Sequence, residues 1–107
     1  KIINHFYLLV IISYNNNSVT FMVTLNKPFK SDVKGKKYSV YVKFNNKKGY
    51  KKINFGATGY DDWRSGTATK EQRKSYLARA KGIKNKQGQL TYKDKTTANY
   101  WAVSYLW

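Results

Sequence analysis

The chain has no cysteine, a single histidine, a single proline and only five carboxylates. Without cysteine there are no disulfide frameworks, thiolate metal sites or cysteine nucleophiles, and the redox compartment goes unread. The lone imidazole, His5, sits in an apolar stretch, so no serine has a histidine to activate it and the bland reading of a half-buried ring is preferred. Of the carboxylates, Asp32, Glu71 and Asp94 are isolated in sequence, and only Asp61 and Asp62 are adjacent. A divalent ion held by that pair would lack a third acidic ligand nearby, which leaves a metal-dependent nuclease without its ligands. A surface turn, or pairing with a neighbouring lysine, is the preferred reading. No metal, no cofactor and no catalytic residue is expected.

Long hydrophobic runs are also missing. The unbroken apolar stretch Phe6–Ile12 is seven residues, against the roughly 20 that a spanning helix needs, so no membrane partner is expected. Asn15, Asn16 and Asn17 follow it where a signal peptide would place small residues before a cleavage point. Residues 1–21 therefore read as an apolar, Asn-rich extension, with Met22 as a candidate start of the natural product. Gly56-Ala57-Thr58-Gly59 has neither Walker nor dinucleotide-binding spacing and reads as a turn after a strand.

What the chain does have is positive charge and aromatic surface. Its 107 residues carry 21 Lys+Arg for a net charge of +16, together with ten Tyr, five Phe and three Trp. That length supports one compact domain, and the aromatics argue against a disordered basic tail. Such an excess of one charge repels itself in a compact state unless an anionic partner neutralises it.

Residues 22–37 read as a basic arm and 38–107 as a single α+β domain. Tyr38, Val40, Val42 and Phe44 alternate with polar neighbours, Asn45–Gly49 forms a turn, and Lys51, Ile53 and Phe55 alternate in a second strand. The expectation is a β-hairpin, or a three-stranded antiparallel sheet if residues 19–25 add a strand. Thr69-Lys70-Glu71-Gln72 has capping-box form, so a helix is predicted over 70–81, with Gly82 as its stop. Tyr76, Leu77 and Ala80 fall on one arc of that amphipathic helix. Residues 84–95 read as a loop. The aromatic end has Thr97 as a cap for a short helix whose Tyr100, Val103 and Trp107 share a face. Tyr76, Leu77, Ala80, Trp101, Leu106 and Trp107 are expected to join Val40, Val42, Ile53 and Phe55 in the core.

The cations cluster. Lys36 and Lys37 precede the hairpin; Lys43, Lys47, Lys48, Lys51 and Lys52 surround its outer face and tip. Lys70, Arg73, Lys74, Arg79 and Lys81 load the helix, and Lys84 and Lys86 follow it. Because only three of the 21 cations are Arg, contacts are expected to be point charges on DNA or RNA phosphate rather than bidentate readout of bases. Tyr41, Tyr50 and Trp63 are candidates for stacking on unpaired bases, weighed against a role covering the core.

Three ordered motifs carry a resemblance. They are Lys51, Lys52, Phe55, Gly56, Gly59, Tyr60 and Asp62; then Arg73, Lys74, Tyr76 and Arg79; then Thr97, Tyr100, Trp101, Leu106 and Trp107. Over residues 36–107 the chain resembles an uncharacterised family of small basic proteins, a domain of unknown function, encoded by large DNA viruses and tailed phages. The resemblance implies a viral protein in the virion or inside the infected cell, in host cytoplasm or nucleus. Relatives often carry His after the second Arg, and some carry Cys; here Ala80 follows Arg79 and Ala102 follows Trp101, so no metal or catalytic role is carried over. The function expected is non-enzymatic, non-specific nucleic-acid binding through a Lys-rich surface. The alternative is a virion structural protein contacting acidic capsid partners or other viral proteins.

Overall fold

The computed structural model describes residues 6–14, 17–44 and 49–107, with side chains from Val23 onward. The turn at 45–48, with Lys47 and Lys48, and His5 lie outside the described residues. The fold is α+β: a five-stranded mixed sheet carries helical segments on one face.

Its centre is the hairpin of β4 (Lys36–Lys43) and β5 (Tyr50–Ala57). The antiparallel register sets Val40 opposite Ile53 and Tyr38 opposite Phe55, and period-two alternation sends these four side chains to one face. Val40, Val42, Ile53 and Phe55 are buried there with Trp101 and Leu106, and Tyr38, Tyr100, Tyr105 and Trp107 pack around them. Each fully buried aliphatic or aromatic side chain contributes about 1.5–3 kcal/mol, so this layer holds the domain together. Phe44 continues the alternation past the covered area and is exposed.

Strand β4 is paired along both edges. Besides β5 it meets β3 (Phe29–Lys30) antiparallel, and β2 (Asn17–Leu25) parallel through Leu25 and Tyr41. Strand β1 (Phe6–Tyr14) pairs antiparallel with β2, placing Phe6 opposite Leu25. The third strand expected from residues 19–25 is thus longer, runs through Met22, and makes the sheet mixed. The segment read as a basic arm lies along β4: Asn26 N–H donates to Tyr41 O, Ser31 N–H to Lys37 O, and the Ser31 and Ser39 hydroxyls are 2.7 Å apart.

Helix α1 (Lys70–Ala80) begins with the capping box its sequence specifies. Gln72 N–H donates to the Thr69 hydroxyl at 3.1 Å, and Thr69 N–H donates to the Gln72 side chain at 2.7 Å. Only Ala80 of α1 is buried, however, with Tyr76 and Leu77 half-buried. Three apolar residues make too narrow a stripe to seat a helix on a sheet. The element that covers the core face is the C-terminal segment, and α1 leans on that. The Tyr76 and Trp107 rings stack at 4.2 Å, Arg73 Nε donates to Trp107 O, and Asn99 donates to Ala80 O. An open cleft of about 760 Å³ remains between α1, β5 and the C-terminal segment.

Residues 84–95 contain a bridge between Lys84 and Leu90 and a 3-10 turn at Thr91–Lys93. Thr97 caps α2 (Ala98–Trp101), accepting from Tyr100 N–H, and a π-helical turn continues it over Ala102–Leu106. Trp107 N–H therefore bonds Ala102 O, five residues back. That wider turn changes the phase of the face, so Trp101, Ala102 and Leu106 are buried while Tyr100, Val103 and Trp107 are half-buried.

Candidate nucleic-acid interface

Among the described residues two lysines are ion-paired, and both pairs consume predicted site residues. Lys52 reaches Asp32 at 2.7 Å on the surface, and the lysine holds the Asp32 carboxyl below its ordinary range. Lys37 reaches Asp62, which is 1% exposed, and also donates to Tyr60 O. Asp62 additionally accepts from Ser65 N–H at 2.7 Å and from the Ser65 hydroxyl at 3.0 Å. Burial alone would raise the Asp62 pKa, but Lys37 and Ser65 outweigh it and hold the carboxyl below its usual range. The adjacent carboxylates thus resolve into a paired, structural Asp62 and an exposed Asp61. No group of three or more metal-ligating side chains occurs among the described residues.

The arginines lie against aromatic rings. Arg64 sits over Tyr105 at 3.8 Å, Arg73 over Trp63 at 4.5 Å and Arg79 over Tyr76 at 5.8 Å. Arg73 is half-buried, while Arg79 is exposed and lines the cleft with Lys36. Lys51, on the core face by alternation, turns outward over Phe44 and donates to Thr96 O at 3.1 Å. Lys43 is exposed on the opposite face of the hairpin, across from Tyr50.

The exposed lysines of α1 form a row. At 100° per residue Lys70, Lys74 and Lys81 fall within about 40° of arc and span roughly 16 Å along the axis. Glu71, Gln72, Ser75 and Arg79 line the cleft on another side of the helix, so the lysine row points away from it. The row continues beyond the helix: Lys81 and Lys93 each hold their ammonium over the Tyr92 ring, at 5.9 and 5.8 Å. Lys84 and Lys86 are exposed in the loop between. Glu71 neighbours Lys70 in sequence but lines the cleft; Asp94 neighbours Lys93, and its carboxylate accepts from the Thr96 N–H and hydroxyl, which hold its pKa below the usual range.

Sequence reasoning placed Lys70, Lys74, Lys81, Lys84 and Lys86 in the basic cluster of the helix and its exit but did not name Lys93. Helical periodicity placed Lys70 on the row. That Lys81 and Lys93 share the Tyr92 ring depends on the return of the 91–93 turn to the end of α1, where Thr91 N–H donates to Ile83 O, for which the sequence carries no local signal.

The other face of the β4–β5 hairpin bears a second arrangement. Phe29, Tyr41 and Tyr50 form a ladder with ring centroids 5.5 and 5.4 Å apart. Beside it Ser39, fully buried, has its hydroxyl 2.7 Å from that of Ser31 and 2.6 Å from Asn54 Oδ1. Among the described residues no helix is long and apolar enough to cross a membrane. No family model, curated protein or solved structure matches this chain.

Proposed function

We propose that this protein is a non-enzymatic, sequence-independent nucleic-acid binder that neutralises phosphate with the lysine row of α1 and its continuation at Lys81, Tyr92 and Lys93. The observation that carries the reading is this row of unpaired cations along one helix face, extended by two ammonium groups sharing one aromatic ring. Lysine supplies compact charges without a bidentate fork, which suits phosphate and leaves base identity unread. The motif resemblance to small basic proteins of large DNA viruses and phages supplies the setting: a viral genome, in the virion or the infected cell.

Titration with plain duplex DNA across salt concentrations tests the proposal. Log affinity should fall linearly with log salt, at about 0.9 per neutralised phosphate. Replacing Lys70, Lys74 and Lys81 with Gln should weaken binding to every sequence alike and reduce that slope by roughly 2.7. A flat salt response in the unmodified protein overturns the reading and favours the alternative, a basic face meeting acidic capsid partners.

A further inference from the structure

Alternation across β4 and β5 puts Tyr41, Lys43, Tyr50 and Lys52 on the face opposite the core. The antiparallel register sets Tyr41 directly opposite Lys52 and Lys43 directly opposite Tyr50. The result is a checkerboard in which each ring has a cation across from it and a ring on the diagonal, and Tyr41 and Tyr50 meet edge to face at 5.4 Å. Strand β3 extends the pattern, since Phe29 pairs with Ser39 and its ring stacks on Tyr41 at 5.5 Å. Phe29 is 38% exposed, Tyr41 and Tyr50 are half-buried, and Lys43 is exposed. The helical layer packs on the other face, so these rings are not needed to close the core.

Two requirements of single-strand recognition meet here: flat aromatic surface for unpaired bases and point charges beside it for the backbone. Ser31, Ser39 and Asn54 form a bonded polar floor next to the rings, and the sheet fixes the rings in advance, which limits the ordering cost on binding. Asp32 occupies Lys52 at 2.7 Å in the free protein, and a phosphate would replace one exposed anion with another. We propose that this sheet face is a stacking platform for unpaired bases, so that single-stranded nucleic acid is the preferred partner over duplex. The inference rests on the nucleic-acid reading above but uses a different surface.

The test compares a thymine single strand, an abasic chain of equal length and a duplex, each followed by fluorescence anisotropy with the full chain. The thymine strand should bind at least about tenfold tighter than the abasic chain. Phe29→Leu and Tyr50→Leu should each cost roughly 5- to 100-fold on the thymine strand while leaving abasic and duplex binding unchanged. Photocrosslinking of a bromouracil strand to the unmodified protein should label Phe29, Tyr41 or Tyr50, a readout independent of any variant's folding. Equal affinity for thymine and abasic chains, or crosslinks confined to other peptides, overturns the platform while salt-dependent duplex binding keeps the lysine row. Absence of binding to all three overturns both.

Discussion

Replacing Asp62 with Asn removes one charge, keeps the shape, and turns one of the two carboxylate oxygens into an N–H donor. In the folded protein both oxygens face donors: Oδ1 accepts from Ser65 N–H, and Oδ2 accepts from Lys37 and the Ser65 hydroxyl. An amide nitrogen in place of Oδ2 would set a donor against the Lys37 ammonium. Breaking a buried ion pair on one side costs about 3–5 kcal/mol. The Lys37 side chain keeps 18% exposure and a second acceptor in Tyr60 O, so the lower end, about 3 kcal/mol, applies. In a domain this small that lowers the melting temperature by roughly 12 °C or more. Urea unfolding followed by tryptophan fluorescence measures it, and a double-mutant cycle with Lys37→Met should give a coupling of at least about 1 kcal/mol.

The acid limb gives an independent check on the same pair. A carboxyl whose folded pKa lies below its unfolded value contributes stability above the unfolded pKa and loses it as pH falls through the folded one. For Asp62 the loss therefore begins near pH 4 and deepens below it, and Asp62→Asn should flatten that part of the curve. Lys37→Met should also leave the salt slope of nucleic-acid binding unchanged, because its charge is spent on Asp62. An unchanged urea midpoint in Asp62→Asn, with no coupling to Lys37, would refute the reasoning.

Trp101→Ala should cost about 3–5 kcal/mol in chemical denaturation, since the ring packs on Phe55 and its Nε1 donates to Lys95 O at 2.8 Å; an unchanged midpoint would place the ring outside the core. Gly56→Ala should destabilise by about 1–2 kcal/mol more than Gly59→Ala in the same assay. Both residues have positive φ, but a Cβ on Gly56 would lie 2.7 Å from Leu106 Cδ1 in the buried layer, while one on Gly59 meets nothing.

The parts of this fold that were legible in the sequence are those encoded over a few residues. Period-two alternation marked β4 and β5 and put Val40, Val42, Ile53 and Phe55 on one face, and the S/T-x-x-Q pattern set the first turn of α1 at Thr69. Thr97 marked the start of α2 in the same way. What stayed hidden depends on contacts between distant segments. Trp101 and Leu106 are buried as expected, but a regular 100° wheel that puts Tyr100, Val103 and Trp107 on one inward face misses the phase change of the π-helical turn, which leaves those three half-buried. The partnership of Lys37 with Asp62 spans 25 residues, so a lysine counted as free by position is bound by topology. The checkerboard of Tyr41, Lys43, Tyr50 and Lys52 follows from alternation plus register, and the composition of the connection between the two strands does not by itself set that register.

Arginine and lysine have separated into different jobs in this chain. The planar guanidinium groups of Arg64, Arg73 and Arg79 lie over aromatic rings that surround the C-terminal segment, where weak hydration and flat shape make Arg the better cation to pack. Two of the five acids are bound to Lys37 and Lys52, and Asp94 is turned onto Thr96. The positive charge left facing solvent is therefore mostly lysine, which has no fork with which to distinguish guanine from adenine. If the surface binds nucleic acid as proposed, it gains affinity with each phosphate it covers and loses it with added salt. On that proposal, any preference it shows would come from the form of the nucleic acid, through rings that can reach bases only where those bases are unpaired.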